Sequence, residues 1–286
     1  MNKLAVVLLA AGHGSRMKSK KQKILHEVGG KPMVQHIFEE AARVADLPPV
    51  LVIGVGGDGV KQLLGDQATF VLQAEQKGTG HAAMMAQPVL QGQSERVLVT
   101  YGDMPLLTAV TMQKLADQQR ETGAVISMLT VLGEPDSSFG RVLRGDDGRV
   151  LEIVEVANAK QRHNAADLLA IRELNVGVYC FDADWLWANI NDLPLRQARS
   201  GQEYYLTDMV EIAVKQRRLV TAAVADDPDE GLGAGTRAEL VAVEKAFRRR
   251  FNAHWLDNGV TLVDPDTIYI DAGVTIGQDT VIWPHT

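Results

Sequence analysis

The stretch LAVVLLAAGHGSRM, residues 4–17, decides the fold of this chain. It starts with an unbroken apolar run and ends in a glycine turn, the pattern of a parallel strand buried on both faces. Similar runs recur along the chain with helical patterns between them, which predicts an α/β sheet. The predicted strands are Leu4–Leu9, Val50–Gly54, Thr69–Leu72, Val97–Thr100, Ala124–Val131 and Leu174–Phe181, and the predicted helices are Pro32–Ala45, Gly80–Leu90, Leu107–Glu121 and Tyr204–Gln216.

Two further patterns modify this plan. Arg141–Arg144 and Arg149–Glu155 flank a Gly-Asp-Asp-Gly turn and predict a hairpin, so the sheet should be mixed. Near the C-terminus, Thr236 and Glu239 have capping-box spacing before a long amphipathic helix that Gly259 should end.

The sequence pattern changes again in the last residues of the chain. Ile270, Ile276 and Ile282 recur every six residues, the signature of a hexapeptide β-helix. Since at least three repeats are needed for a stable coil, we expect a chain cut from a longer protein. A short pair of C-terminal strands is the alternative.

Composition narrows the class of protein. The 286 residues are 46% hydrophobic and 23% charged, which is ordinary for a globular protein. The single cysteine, Cys180, favours a reducing compartment, and we expect a cytoplasmic protein with no signal peptide or membrane helix. The net charge of −7 argues against nucleic acid as a partner.

Local charge around the first loop points to an anion. The segment from His13 to His26 has five basic residues and no acidic one, directly after a strand. Backbone N–H groups of a glycine loop at a strand end can approach phosphate closely, and Arg16 and Lys23 would neutralise its charge. The loop is neither a P-loop nor a dinucleotide fingerprint. A solvated basic turn is the alternative interpretation.

These motifs together resemble a known family. LAAGxGxRM followed by a lysine is similar to the signature of the sugar-1-phosphate nucleotidyltransferases. More closely, the chain resembles the uridyltransferase half of the bacterial bifunctional N-acetylglucosamine-1-phosphate uridyltransferase and glucosamine-1-phosphate acetyltransferase family. That closer match rests on LQAEQKGTGHA (72–82), YGDMP (101–105), FGR (139–141), IVE (153–155), ELNVG (173–177) and QEYYLTD (202–208).

The resemblance implies a domain plan and site residues. It implies a Rossmann-like nucleotidyltransferase domain over 1–232, a linker with a long helix over 233–259, and the first coil of a left-handed β-helix over 260–286. Arg16, Lys23 and Asp103 would be catalytic, with Asp103 also holding Mg²⁺. The nucleotide would contact Leu9, Ala10, Ala11, Gly12, Gly14, Gln73, Gly78, Thr79, Tyr101 and Gly102, and the sugar would contact Gly140, Glu155 and Asn175.

The implied reaction needs no nucleophilic side chain. It is the Mg²⁺-dependent transfer of UMP from UTP to N-acetylglucosamine 1-phosphate, with pyrophosphate released and no acetyl transfer by this chain. Transfer to another sugar phosphate, or UDP-sugar binding without catalysis, are the alternatives. A homotrimer is expected only if enough β-helix is present. His36 and His81 are predicted to be packing or capping residues.

Two positions depart from the family pattern. Gln22 stands where a proline usually precedes the lysine. In an alignment anchored on the helix that begins at Thr236, Gly235 occupies the place of an asparagine that helps bind the metal. We therefore expect a reduced affinity for Mg²⁺ but retained activity, with Asp226, Asp227, Asp229 or Glu230 as possible substitutes.

Overall fold

A mixed sheet organises the molecule. The computed structural model describes residues 3–135, 137–198 and 201–286. The strands are β1 Leu4–Ala10, β2 Glu27–Val28, β3 Lys31–Pro32, β4 Val50–Gly54, β5 Thr69–Gln73, β6 Arg96–Tyr101, β7 Ile126–Leu132, β8 Gly140–Arg144, β9 Val150–Val154, β10 Glu173–Asp182, β11 Leu195–Ala198, β12 Gly201–Tyr204, β13 Val220–Val224, β14 Thr261–Leu262 and β15 Val281–Ile282. The helices are α1 Met33–Val44, α2 Asp58–Leu64, α3 Gly78–Met84, α4 Gln87–Leu90, α5 Ala109–Thr122, α6 Val156–Ala159, α7 Ala165–Ala170, α8 Ala183–Asn189, α9 Asp208–Lys215 and α10 Arg237–Asp257.

The main sheet has the strand order β13-β7-β10-β6-β1-β4-β5. The strand β1 pairs in parallel with both β4 and β6, whereas β10 runs antiparallel between β6 and β7. The hairpin β8–β9 joins the sheet through β10. The prediction of a mixed, mainly parallel sheet is confirmed.

Both faces of the sheet are covered by helices. Alternate residues of β1 enter different clusters: Val7 packs toward α3, α8 and α9, and Val6 packs toward α1, α2 and α5. Every residue of β1 is buried, which explains why its sequence is continuously apolar rather than alternating.

Two predicted helices differ from the structure for local reasons. The predicted helix Gly80–Leu90 is divided into α3 and α4, because Pro88 lacks the N–H that a helix interior needs and lies instead in the first turn of α4. The predicted helix Tyr204–Gln216 begins only at Asp208, because Tyr204 pairs with Leu195 in the β11–β12 hairpin.

The helix α10 begins as its capping signal predicts. The Thr236 hydroxyl accepts the Glu239 N–H at 3.2 Å, while the Glu239 carboxylate accepts the Gly235 N–H at 2.7 Å, one residue before the usual partner. Gly259 follows the helix with a φ of +81°, as predicted for its stop.

The C-terminal segment packs against the end of α10. Trp255, Ile268 and Ile270 form a buried cluster with Ile276 and Ile282 partly buried beside it. The two-residue strands β14 and β15 pair in parallel. A left-handed β-helix stays a prediction, because one such pair does not define a coil. Across the described ranges, no helix has the length and apolar character to cross a membrane.

Candidate functional site

The loop after β1 is positioned by contacts that depend on glycine. The Gly102 N–H donates to the Leu9 carbonyl at 2.9 Å, so the ends of β1 and β6 stay together. Gly14 has a φ of +64°, and a Cβ built there would lie 2.5 Å from the Cβ of Lys23. Glycine at this position therefore allows the loop to fold back against Lys23. Gln22, in place of proline, donates its amide to the Gly56 carbonyl at 2.8 Å and anchors the loop.

An ion pair marks the edge of the sheet beyond β1 and β6. The Lys23 Nζ lies 2.5 Å from the Asp103 Oδ2, and the two side chains are 20% and 15% exposed. Asp103 follows β6 by two residues, where open α/β sheets place their ligand groups. The structure thus brings together two of the three predicted catalytic residues, with opposite charges shielded from bulk water.

The predicted nucleotide-binding residues after β5 form a compact turn. Gln73 is 3% exposed and donates its amide to the Gly78 carbonyl at 3.1 Å, with the His81 Nδ1 3.0 Å away. The Thr79 hydroxyl accepts the Leu206 N–H at 3.0 Å. Because its own loop engages the Gln73 amide nitrogen, that side chain is held in place at the rim of the site. His81 thus contacts the Gln73 amide within this turn, and its role as a packing or capping residue stays a prediction.

A cavity of about 230 Å³ lies beside this edge. It brings together five of the predicted residues from elements distant in sequence, namely Thr79, Tyr101, Gly140, Glu155 and Asn175. Sequence reasoning assigned no role to the rest of the lining, namely Ser138, Phe139, Val176, Gly177, Tyr205 and Thr207. Phe139, Gly177, Tyr205 and Thr207 all fall within the motifs that carry the resemblance, so motif membership was the available signal.

Close backbone approach shapes the cavity walls. A Cβ at Gly140 would lie 3.1 Å from the Glu155 Oε1, and a Cβ at Gly177, where φ is +81°, would lie 2.3 Å from the Tyr101 Cε2. Both glycines make room for a functional side chain. Asn175, the register partner of Gly140, accepts the Gly177 N–H at 3.1 Å and the Tyr179 hydroxyl at 3.0 Å.

The environment of the cavity raises the pKa values of two of its residues, Glu155 and Tyr101. Partial desolvation of its carboxyl group in the cavity, reinforced by the nearby Asp208, raises the pKa of Glu155 although the residue as a whole is exposed, and the positive charge of Arg141 opposes this shift. Burial also raises the pKa of Tyr101, with Asp103 and Glu155 adding to the effect. Tyr101 is therefore a neutral hydroxyl at physiological pH, able to donate a hydrogen bond between the ion pair and the cavity.

The segment before α10 places two glycines beside predicted catalytic groups. A Cβ built at Gly235 would lie 2.6 Å from the Arg16 Nη2. A Cβ built at Gly233 would lie 3.7 Å from the Asp103 Cγ and Oδ1. The reduced affinity for Mg²⁺ expected from Gly235 stays a prediction.

Acidic residues upstream of this segment do not replace a metal ligand. Asp226 pairs with Lys114 at 2.5 Å and Asp227 with Arg250 at 2.7 Å. Asp229 pairs with Arg249, and the buried Glu230 accepts the Thr108 N–H at 3.0 Å. Their carboxylates are engaged in holding the segment onto α5 and α10.

Asp103 has the chemistry to help hold a divalent metal ion. No cluster of three or more His, Cys, Asp or Glu side chains suited to a metal occurs in the part of the chain that the structure describes. Mg²⁺ commonly takes one or two protein carboxylates and completes its shell with water and substrate phosphates. The shielded Asp103 carboxylate meets that requirement, with the side-chain-free Gly233 leaving space for water.

His36 was predicted to be a packing residue, and this is confirmed. Its Nε2 lies 2.8 Å from the Val28 carbonyl, and its ring centroid lies 5.2 Å from that of Phe247 on α10. Burial lowers its pKa, so the ring stays neutral. Its position links the hairpin β2–β3 and α1 to the linker helix, away from the cavity.

Comparison with curated proteins gives consistent relatives. The chain is 42% identical over its whole length to the bifunctional protein GlmU of Exiguobacterium sibiricum, and covers 62% of that protein. It is 40% identical over its whole length to the bifunctional protein GlmU of Heliobacterium modesticaldum, covering 61% of it. The chain thus spans about three fifths of the length of these relatives.

Solved structures support the fold. A CMP:2-keto-3-deoxy-manno-octonic acid synthetase complexed with CTP and a UDP-glucose pyrophosphorylase complexed with UDP-glucose each superpose with a TM-score of 0.65. Each is 17% identical to this chain, and each match covers 87% of this chain and 100% of the other. Residues 6–186 match the MobA-like NTP transferase domain, which contains the loop after β1, the Lys23–Asp103 pair and most of the cavity. The chain therefore belongs to the MobA-like NTP transferase family.

Proposed function

We propose that this chain transfers UMP from UTP to N-acetylglucosamine 1-phosphate, giving UDP-N-acetylglucosamine and pyrophosphate. One observation carries the proposal: the cavity with Glu155 and Asn175 meets the Lys23–Asp103 edge at Tyr101. A sugar in the cavity would therefore place its phosphate close to charged groups suited to a triphosphate. The similarity to bifunctional GlmU proteins along the whole chain supports uridylyl transfer to a sugar 1-phosphate.

The reaction follows from positioning and charge neutralisation. A phosphate oxygen of the sugar 1-phosphate attacks the α-phosphorus of UTP, and a new P–O bond forms. The bond between the α-phosphorus and the bridging oxygen breaks, and its electron pair leaves with pyrophosphate. Lys23 and Arg16 stabilise the charge that develops on the phosphate oxygens, and the loop of Gly12 and Gly14 supplies backbone N–H donors.

Asp103 would hold Mg²⁺ in this scheme. When bound, the ion neutralises phosphate charge and helps orient the triphosphate. Lys23 would serve two purposes in this scheme. Its ammonium group balances the charge of the Asp103 carboxylate in this structure, and it would bind a phosphate of the nucleotide. Its four-carbon stem allows the ammonium to move from the carboxylate to a phosphate.

Recognition of base and sugar divides between the two sides of the site. The Gln73 amide oxygen, whose NH₂ group is held by Gly78 and His81, would accept a hydrogen bond from the N–H of the uracil imide. Glu155 would accept hydrogen bonds from sugar hydroxyls, and Gly140 and Asn175 would contact the acetamido group. Phe139, 37% exposed at the cavity, offers an apolar surface to the sugar ring.

Pyrophosphate release tests the proposal directly. The reaction would contain UTP, N-acetylglucosamine 1-phosphate and Mg²⁺, with glucose 1-phosphate and dTTP as competing substrates. We expect turnover with the UTP and N-acetyl pair, and little with the competitors. Absence of release with every pair, despite tight binding of UDP-N-acetylglucosamine, would favour a binding protein instead.

Two related points stay predictions. We expect the reaction to occur in the cytoplasm. A homotrimer, expected only if enough β-helix is present, can be checked by light scattering at several protein concentrations.

A further inference from the structure

Arg141 is buried to an unusual degree for a charged residue. It lies on β8 and is 0% exposed, among the largest fully buried side chains of the described residues. Arginine is almost never fully buried without a paired charge, because removing a guanidinium from water costs substantial free energy. Packing alone would be served as well by methionine or leucine.

The hydrogen bonds of Arg141 all lead to one loop. The Nη1 donates to the Phe139 carbonyl, and the Nη2 donates to the Pro135 carbonyl at 2.6 Å. The Nε is buried with no hydrogen-bond partner. On the same strand, Arg144 pairs with Glu173 at 2.6 Å, whereas Arg141 makes no ion pair with any described residue. Among the described residues, the guanidinium therefore donates its hydrogen bonds to backbone carbonyls and not to a carboxylate.

Those two carbonyls belong to the connection between β7 and β8. The cavity is lined by Ser138, Phe139 and Gly140. The hydrogen bond from Arg141 to the Phe139 carbonyl holds this short stretch in place. Across from them stands Glu155, so close to Gly140 that an added Cβ would lie 3.1 Å from its Oε1. The positive charge of Arg141 also acts on Glu155, where it opposes the rise in pKa that desolvation and Asp208 cause.

We propose that Arg141 is a positioning residue that holds the wall Ser138–Gly140 against Glu155 and thereby sets the affinity for the sugar. This inference rests on the proposed function, since it assigns the sugar to this cavity. It predicts an effect confined to one substrate, because the side-chain hydrogen bonds of Arg141 to described residues go to Phe139 and Pro135 and not to the loop after β1 or the turn after β5.

The kinetic test uses Arg141→Met, which keeps the volume and removes the donors, with Arg144→Met as the matched control on the same strand. We expect the KM for N-acetylglucosamine 1-phosphate to rise roughly 10- to 100-fold in Arg141→Met, as for other supporting residues. The KM for UTP should stay within about twofold, since its contacts are intact. Arg141→Lys, with one charged donor group, should recover part of the loss.

Two results would overturn the proposal. Equal changes in both KM values would indicate general destabilisation. Unchanged kinetics in Arg141→Met would show that Ser138–Gly140 does not need Arg141 to hold its position. A folding defect in Arg141→Met would be detected by circular dichroism, and the Lys variant then carries the test through the same split between the two KM values.

Hydrogen exchange separates this inference from the proposed function. The amides of residues 137–140 should exchange at least about tenfold faster in Arg141→Met than in the wild type, while those of β1 and β6 stay protected. This measurement needs no substrate. A wild-type chain without turnover would refute the proposed function alone, whereas unchanged exchange in this segment would refute the positioning role alone.

Discussion

Gly233 and Gly235, separated by Ala234, bring one backbone segment close to two predicted catalytic residues. A Cβ at Gly233 would lie 3.7 Å from the Asp103 Cγ, and a Cβ at Gly235 would lie 2.6 Å from the Arg16 Nη2. The lack of a side chain at both positions leaves space around Asp103 and Arg16.

Gly235→Asn should strengthen Mg²⁺ binding. Asparagine supplies the side-chain oxygen that the resemblance places at this position, and the atom nearest its Cβ is the movable end of the exposed Arg16 side chain. We expect the Mg²⁺ concentration for half-maximal activity to fall about threefold to tenfold, as for one added ligand. Gly235→Ala is the matched control, because it adds the Cβ without an oxygen, and it should leave this concentration within about twofold of the wild type. A Mg²⁺ titration in which Gly235→Asn and Gly235→Ala behave alike would contradict the prediction.

Lys23 should matter far more than other lysines in the same loop. Lys23→Met removes the cation that faces Asp103, and we expect kcat to fall roughly 100- to 1,000-fold, the usual cost of one preorganised charge-stabilising group. Lys20→Met, at an exposed position, should change kcat less than about twofold. Steady-state kinetics of both variants provide the test, and similar losses would point to a general charge effect.

The ionisation of Glu155 in the cavity should affect the stability of the folded protein. Because partial desolvation raises its pKa in the folded protein, ionisation of Glu155 destabilises the fold at pH values above that raised pKa. The penalty shrinks as pH falls through the raised pKa and is absent below the ordinary value of 4.5. Glu155→Gln should thus raise Tm at neutral pH while weakening sugar binding, and the gain in Tm should vanish at low pH. Thermal melts across pH test this, with the exposed Glu121→Gln as control; a gain independent of pH would exclude the titration.

At the scale of elements, α10 connects the C-terminal segment to the loop after β1. Its first turn donates from the Arg237 Nε to the Met17 carbonyl at 3.2 Å, and its capping residue Glu239 binds the Gly235 N–H. Farther along, Glu244 accepts the Gly29 N–H at 2.8 Å. The helix α10 therefore helps to support the loop after β1 and the hairpin β2–β3.

Thr236→Ala tests the start of this helix. Loss of an N-cap hydroxyl should lower the free energy of unfolding by about 1 kcal/mol, because the Glu239 N–H loses its partner. Thr236→Ser keeps the hydroxyl and should stay within a few tenths of a kcal/mol of the wild type. Urea unfolding measures both, and equal stability of the two variants would show that the cap contributes nothing.

The sequence predicted elements best where one local rule governs them. The buried strands β1, β4 and β6 follow from continuous apolar runs, and the cap of α10 follows from Thr236 and Glu239. Pro88 gave a visible signal for the break between α3 and α4, which the apolar pattern obscured. The antiparallel entry of β10 and the pairing of β11 with β12 depend on long-range partners, which no local pattern specifies.

At the scale of the whole molecule, the sheet converts separated motifs into one surface. The ends of β1 and β6 carry the glycine loop and Asp103, while β8, β9 and β10 contribute much of the cavity wall. The chemical character of Lys23, Asp103 and Glu155 was predictable from sequence and resemblance. The approach of Gly233 to Asp103 and the complete burial of Arg141 were not, because they depend on distances of a few ångströms across the fold.

A crystal structure of the chain with UDP-N-acetylglucosamine is the most direct test of this account. We expect the uracil at Gln73 and the turn Gly78–Thr79, the diphosphate near Lys23 and Asp103, and the acetamido sugar in the cavity beside Glu155 and Asn175. A sugar bound outside that cavity, or a nucleotide bound away from the loop after β1, would contradict the claim that the two sides of this edge form one active site.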